Sequence, residues 1–125
     1  MHTFRAFVNS VVNFSKPLAA IINGPAVGIS VTVLAMFDII IANEKATFST
    51  PFSKTAQTPE ACSTYTFPLL MGHFKVFEML LLNKVLTAQE AYERNLVTQV
   101  LPDAGFQEKS NQLLEQISTF PREVY

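Results

Sequence analysis

Residues 17–32 read Pro-Leu-Ala-Ala-Ile-Ile-Asn-Gly-Pro-Ala-Val-Gly-Ile-Ser-Val-Thr, and this stretch decides the fold. A short, wholly apolar run over residues 18–22 predicts a buried strand. An Asn-Gly-Pro sequence at 23–25 breaks the run, and Gly28 opens a second apolar stretch that predicts a buried helix over residues 28–37. A strand, a glycine turn and a helix place unpaired backbone N–H groups at the positive end of a helix dipole. Such a turn suits phosphates, carboxylates and developing oxyanions.

The composition indicates one globular domain. The chain has 125 residues, of which 49% are apolar, enough to bury a core. A formal net charge of −1 gives no electrostatic footprint for nucleic acid, and no apolar run is long enough to cross a membrane. The single Cys62 excludes an intrachain disulfide and fits a reducing compartment, and neither end carries a recognised targeting signal.

Charged residues are only 15% of the chain, so we expect part of its surface to be covered by a partner or by another part of the same protein. The amino-terminal helical pattern has no preceding cap, and the carboxyl end has no evident structural ending. These features predict a fragment of a larger fold.

Strands and helices alternate along the rest of the sequence, which predicts an α/β architecture. The predicted strands cover residues 38–42, 46–50 and 96–101, and the predicted helices cover residues 1–14, 73–82, 87–94 and 106–120. In the helix over residues 73–82, we expect Phe74, Phe77, Leu80 and Leu81 to face inward. A polar loop at 51–59 precedes a further helix that we expect to begin at Thr58 or Pro59, so that Glu60 lies in its first turn. Thr87 and Glu90 form the pattern of a capping box.

Several of these motifs resemble the enoyl-CoA hydratase/isomerase (crotonase) superfamily. They are Lys16-Pro17, Asn23-Gly24, Ala26-Val27-Gly28, Phe37-Asp38, Ala46-Thr47-Phe48, Pro51, Leu86-Thr87-Ala88-Gln89-Glu90-Ala91 and Leu96-Val97. Residues 23–32, 47–53 and 57–63 are similar, more narrowly, to the Δ3,Δ2-enoyl-CoA isomerase 2 branch, which is peroxisomal or mitochondrial. The chromodomain Y-like proteins are close relatives of that branch.

The resemblance implies a spiral of ββα units, assembled as trimers. Residues 1–125 would form a partial enoyl-CoA hydratase/isomerase domain, the C-terminal part of the spiral, without the family's N-terminal strands and final helices. It also implies an acyl-CoA thioester as substrate, with coenzyme A carried by that substrate and no separate cofactor. We expect a homotrimer in the full-length protein, in a peroxisome or a mitochondrion.

The resemblance assigns oxyanion-binding and substrate-binding roles to Gly28, Ile29, Ala26 and Phe52. The Ile29 N–H would be one of two oxyanion-hole donors, with Gly28 allowing the backbone to approach, while the other donor would precede residue 1. From the residues alone, Gly28 equally fits close packing of a helix on a strand.

Glu60 is the candidate catalytic base, a role that the resemblance places at this position. Taken alone, a glutamate in the first turn of a helix is usually a favourable partner of the helix dipole. An apolar acyl pocket would make the carboxylate a stronger base, and Phe48, Phe52, Tyr65 and Phe67 either line that pocket or belong to the core.

The two carboxylates that hydratases use are absent, since Thr32 and Phe52 occupy their positions by resemblance. This implies a Δ3-Δ2-enoyl-CoA isomerase of fatty acid β-oxidation, which needs one base and not the addition of water. No metal site is predicted, because Cys62 has no neighbouring ligand, and Ser30 and Ser63 have no partner histidine for a hydrolase triad. Two alternatives stay open: a non-catalytic CoA-binding module like the chromodomain Y-like relatives, and an inactive truncated fragment.

Overall fold

A computed structural model describes residues 2–120, with side chains from Thr3 onward. The helices are α1 (His2–Val12), α2 (Ile29–Thr32), α3 (Ser63–Met71), α4 (His73–Leu80), α5 (Ala88–Glu93) and α6 (Phe106–Ser118). The strands are β1 (Ala19–Ile22), β2 (Ala26–Val27), β3 (Ile39–Asn43), β4 (Thr47–Ser49), β5 (Leu86–Thr87) and β6 (Gln99–Leu101). Two 3-10 helices, Val33–Met36 and Ser53–Thr55, complete the secondary structure of the described residues.

The strands form two small sheets, which confirms the predicted α/β class. The first sheet has the order β1-β3-β6 and is parallel throughout, with Ala19 opposite Ile39 and Ile41 opposite Gln99. The second has the order β2-β4-β5, with β2 parallel and β5 antiparallel to β4. β3 is central and nearly continuously buried, as expected for an Ile-Ile-Ile strand in a parallel sheet.

The hydrophobic core lies where the helices cover these sheets. Its largest fully buried apolar side chains are Phe48, Phe67, Ile41, Met79, Leu86, Leu96 and Val31. Phe48 comes from the middle of β4 and Phe67 from α3, so the core joins the second sheet to the helix that follows the long loop.

The helix predicted over residues 28–37 is one α-helical turn followed by the 3-10 helix Val33–Met36. Val31, Thr32 and Val33 are β-branched and support an α-helix poorly, which favours the change of helix type. The sequence also did not indicate β2, because a two-residue strand is defined by its pairing with β4 and not by its own pattern.

The start predicted for α3 at Thr58 or Pro59 is wrong, because the helix begins at Ser63. Ala61 and Cys62 have φ angles of 51° and 61°. Two consecutive residues in the left-handed region interrupt any right-handed helix. Glu60 therefore lies in a turn before the helix and not in its first turn.

The prediction that Phe74, Phe77, Leu80 and Leu81 of the fourth helix face inward is wrong for three of the four residues. Phe74 is 85% exposed, and Phe77 and Leu81 are 44% and 46% exposed. The buried stripe of α4 is formed by Val76, Met79 and Leu80 instead. Both sets follow helical spacing, so the pattern alone does not identify the inner face.

Candidate active site

The glycine turn that follows β1 brings the chain to the start of α2 in an unusual backbone conformation. Gly28 has φ 65° and ψ −123°, a region that side-chain-bearing residues rarely adopt. Its N–H donates to the carbonyl oxygen of Ser49 at 2.9 Å, which continues the pairing of β2 with β4. Ile29 is then the first helical residue, and N–H groups in a first turn have no acceptor inside the helix.

Ser30 stabilises this turn, a role that the sequence did not reveal. Its hydroxyl accepts a hydrogen bond from the Val27 N–H and donates one to the Val27 carbonyl, both at 2.9 Å. A serine hydroxyl can bond backbone groups three residues earlier, so the serine that directly follows Ile29 was the available signal. The backbone on both sides of Gly28 is therefore fixed by hydrogen bonds.

Ala26 and Phe52 lie in the same region, as core residues. Ala26 is 6% exposed and sits opposite Phe48 in the β2–β4 pair, and Phe52 is 3% exposed just beyond β4. Phe48 and Phe67 belong to the same core cluster. Tyr65, by contrast, is 71% exposed on α3, so its side chain does not line the core side of that helix.

Glu60 lies at the end of the loop that follows β4. The residue is half-buried, and its carbonyl oxygen accepts a hydrogen bond from the Ser63 N–H at 3.1 Å, which closes the turn before α3. α3 packs against the 3-10 helix Val33–Met36, the direct continuation of α2. The glycine turn and the Glu60 turn are thus joined through two packed helical segments.

An apolar cavity of about 270 Å³ is lined on one side by Pro59, the residue before Glu60, while Glu60 itself is not part of the lining. Its lining consists mostly of apolar side chains from the Glu60 turn, α3 and α4, namely Pro59, Thr64, Pro68, His73, Val76, Phe77, Leu80 and Leu81. A cavity of this character accommodates a hydrocarbon chain better than a polar group.

Thr32 occupies a buried position on α2, with no exposed surface. Its hydroxyl faces the carbonyl oxygens of Gly28 and Ile29 at 3.5 and 3.4 Å. A threonine hydroxyl does not exchange protons near neutral pH, so this position supplies no acid or base. Within residues 2–120 no group of three or more His, Cys, Asp or Glu side chains is placed to hold a metal ion.

The region described has no helix that is both long and apolar enough to span a membrane. Its parallel strands, its glycine turn before a short buried helix and the half-buried carboxylate of Glu60 together define an α/β domain with a partial crotonase fold. The chain belongs to the enoyl-CoA hydratase/isomerase family, whose model matches residues 2–125.

The most similar relatives include enoyl-CoA delta isomerases, which confirms the predicted isomerase 2 branch. The chain is 57% identical over 103 residues to the mouse "Enoyl-CoA delta isomerase 3, peroxisomal", covering 82% of this chain and 32% of that protein. It is 50% identical over 117 residues to the human "Enoyl-CoA delta isomerase 2", covering 94% of this chain and 30% of that protein. The chain therefore spans about a third of the length of these relatives.

A solved structure shares the fold over nearly the whole chain. The crystal structure of an enoyl-CoA hydratase/isomerase from Pseudoalteromonas atlantica T6c superimposes with a TM-score of 0.90 at 30% identity. The match covers 94% of this chain and 48% of that structure.

Proposed function

We propose that this chain contributes the catalytic half of a Δ3-Δ2-enoyl-CoA isomerase. The single observation that carries the proposal is that the half-buried carboxylate of Glu60 is present while buried Thr32 and Phe52 occupy the two positions where the resemblance places the carboxylates of a hydratase. One base suffices to move a double bond, whereas the addition of water uses two.

The reaction proceeds by two proton transfers and a shift of electrons. The Glu60 carboxylate removes a proton from C2 of a 3-enoyl-CoA, and the electrons of that C–H bond form a dienolate with negative charge on the thioester oxygen. The same carboxyl group returns the proton to C4, which leaves a trans double bond between C2 and C3. Atoms and charge balance without an oxidant, a metal or a second cofactor, because coenzyme A is part of the substrate.

The Ile29 N–H is the donor that this chain provides to the dienolate oxygen. Gly28 supports this role, because no atom lies within 4 Å of the place where a Cβ at this residue would stand. One oxyanion donor is typically worth about 3 kcal/mol of transition-state stabilisation. The second donor would come from a segment before residue 1, and the complete enzyme would be a homotrimer of longer chains.

The apolar cavity that Pro59, α3 and α4 line supports an acyl substrate, since its lining is largely hydrocarbon. The peroxisomal name of the mouse relative favours a peroxisome over a mitochondrion, with a role in the β-oxidation of unsaturated fatty acids.

The test is a Glu60→Gln substitution in a full-length protein carrying this sequence, assayed for isomerisation of 3-hexenoyl-CoA. Because a general base contributes about 10²- to 10⁴-fold to a rate, we expect the kcat of Glu60→Gln to fall by a factor within these limits. Its thermal stability should change little. Glu115→Gln, at an exposed position on α6, is the matched control and should keep wild-type activity. Near-wild-type turnover by Glu60→Gln contradicts the assignment.

A binding measurement separates the enzyme from a non-catalytic module. If the wild-type protein binds a saturated acyl-CoA but does not isomerise 3-hexenoyl-CoA, it is a thioester-binding module and not an isomerase. The same assays on residues 1–125 alone test whether the shorter chain is an inactive fragment.

A further inference from the structure

Three polar side chains meet at one edge of the parallel sheet. Asn23 follows β1, Asn43 ends β3 and Asp103 lies two residues after β6. Carboxyl ends of parallel strands share one edge, so residues distant in sequence come together there. Asn43 is the central member, and it is 1% exposed.

The Asn43 amide is fully engaged. Its Nδ2 donates to Asn23 Oδ1 at 3.1 Å and to Asp103 Oδ1 at 2.8 Å, and its Oδ1 accepts from the Lys45 N–H at 2.9 Å. The Asp103 carboxylate only accepts hydrogen bonds, so the amide orientation is fixed by this partner. A buried amide with both hydrogens used holds its neighbours in one arrangement.

The other groups of this cluster hold Asp103 in place. Lys45 Nζ pairs with the second carboxylate oxygen of Asp103, and the Asp103 N–H donates to Glu44 Oε1 at 2.9 Å. The Glu44 N–H donates to the Leu101 carbonyl at 2.9 Å. The cluster therefore anchors the Asn23 side chain to two neighbouring strands.

Asn23 is the first residue of the loop that carries the candidate oxyanion donor. The segment from Asn23 to Gly28 includes β2, and its far end is fixed by the pairing of β2 with β4 and by the bond from the Gly28 N–H to the Ser49 carbonyl. Gly24 has no side chain and Pro25 has no N–H, so neither contributes the anchoring contacts that Asn23 makes. The amide of Asn43 is the buried contact that holds the near end of the loop.

We propose that Asn43 is a positioning residue that sets the Ile29 N–H through the Asn23–Asn43–Asp103 hydrogen bonds. The proposal rests on the proposed isomerase function, because it gives the Ile29 N–H a role in binding the dienolate. Asn43 itself touches no reacting atom. Its effect is on the placement of the donor and therefore on the transition state more than on substrate binding.

The test exchanges the hydrogen-bond donor and the acceptor between Asn43 and Asp103. Asn43→Asp places a carboxylate against the Asp103 carboxylate and removes both donated hydrogen bonds. The double variant Asn43→Asp with Asp103→Asn restores an amide-to-carboxylate hydrogen bond between these positions in the opposite direction. The exposed Asn23 amide can turn so that its Nδ2 donates to the new carboxylate at position 43. Asn111→Asp is the matched control, since Asn111 is exposed on α6 and bonds only within that helix.

Three measurements on a full-length protein report on the position of the Ile29 N–H and do not depend on overall stability. Because a displacement of about 1 Å costs up to about 100-fold in rate, we expect Asn43→Asp to lower kcat by about 10- to 100-fold, with KM changed by about twofold or less. Bound acetoacetyl-CoA should show a weaker ultraviolet absorbance of its enolate. Hydrogen exchange of residues 23–29 should be faster in Asn43→Asp. In the double variant, kcat, the enolate absorbance and the hydrogen exchange should return most of the way to their wild-type values.

The outcomes separate this inference from the proposed function. If Asn43→Asp keeps wild-type kcat, enolate absorbance and loop protection while Glu60→Gln is inactive, the positioning role is wrong and the isomerase assignment stands. If the wild-type protein does not isomerise 3-hexenoyl-CoA, the isomerase assignment is wrong. In that case, Asn43→Asp with wild-type hydrogen exchange of residues 23–29 overturns the positioning role as well. If Asn43→Asp does not fold, Asn23→Ala removes the same contact at an exposed residue, and wild-type kcat in that variant overturns the inference.

Discussion

The backbone N–H of Gly28 donates to the carbonyl oxygen of Ser49 at 2.9 Å, which ties the glycine turn to β4. This bond holds Gly28 at φ 65° and ψ −123°. The same bond connects the candidate oxyanion donor on Ile29 to the strand that leads into the Glu60 loop. Backbone geometry at one glycine thus bears on both parts of the candidate site.

Gly28→Ala should therefore reduce stability and activity together. A Cβ at Gly28 meets no atom within 4 Å, so the cost is conformational and not steric. A non-glycine residue in such a backbone region costs about 1–3 kcal/mol. We expect the free energy of unfolding, measured by urea denaturation, to fall by this amount. We expect kcat to fall as well, because the same backbone leads into the Ile29 N–H.

Gly24→Ala is the control for this substitution. Gly24 has no positive φ, and an added Cβ also meets no atom within 4 Å. Its unfolding free energy should stay within about 0.5 kcal/mol of wild type. Equal losses in the two variants would show that the Gly28 conformation has no special cost.

Local sequence signals predicted the parts of the fold that depend on a few adjacent residues. The capping box of α5 is present, with the Thr87 side chain accepting from the Glu90 N–H and the Glu90 side chain accepting from the Thr87 N–H. The continuous apolar run of β3 predicts a buried strand, which is confirmed. The glycine at 28 likewise predicts the turn before α2, and the structure adds that its backbone lies in a region that side chains disfavour.

Long-range contacts explain what the sequence did not indicate. The exposed Phe74 and the buried Met79 share one helix, and only the packing of α4 against the rest of the fold selects between the two faces. The sequence around Asn43 indicates only a turn, because the partners of its side chain at positions 23 and 103 are 20 and 60 residues away. The positive φ angles of Ala61 and Cys62 have no glycine to signal them, so the position of Glu60 before α3 was not predictable.

The loop that leads to Glu60 begins with a buried hydrogen bond. Thr50 Oγ1 donates to the Met79 carbonyl oxygen at 3.0 Å, and neither residue is exposed. Thr50→Val keeps the shape but leaves that carbonyl oxygen without this donor, which costs about 1–3 kcal/mol at a buried site. Urea denaturation measures the loss, and limited proteolysis at residues 51–59 should become faster.

Thr119→Val provides the comparison for Thr50→Val. Thr119 is exposed at the end of α6, where its hydroxyl donates to the Gln116 carbonyl oxygen. We expect the free energy of unfolding of Thr119→Val to stay within about 0.5 kcal/mol of wild type. A Thr50→Val protein as stable as the Thr119→Val protein would rule out an energetic role for the Thr50–Met79 bond.

Thr87→Ala should destabilise the protein by about 1 kcal/mol, the usual cost of losing an N-cap side chain. The Thr87 N–H, and then Lys84, hold the pKa of the Glu90 carboxyl below its ordinary value. NMR titration of Glu90 should show this lowered pKa in the wild-type protein. Gln89→Ala, at an exposed position of the same helix, should leave both the stability and the Glu90 pKa near wild type.

The charged part of the Asn43 cluster should contribute to stability only within a defined pH range. Hydrogen bonds from Lys45, and then from Asn43, hold the pKa of the Asp103 carboxyl below its ordinary value of 3.8, and Asp103 holds the pKa of Lys45 above 10.5. A lowered carboxyl pKa in the folded state stabilises the protein above the ordinary value, and this contribution is lost as pH falls through the folded-state pKa. The raised lysine pKa stabilises the protein below 10.5, and its contribution is lost as pH rises through the folded-state value.

We therefore expect the destabilisation caused by Asp103→Asn to be constant across neutral pH and to shrink in strong acid and strong base. Urea denaturation of both proteins at a series of pH values measures the difference. Added salt should reduce it at pH 7, because Lys45 and Asp103 are partly exposed. If the difference in unfolding free energy between the two proteins stays the same from neutral pH down to about pH 2, the lowered Asp103 pKa is contradicted. The carboxyl would then have the same pKa in the folded and the unfolded protein, and its protonation would not affect stability.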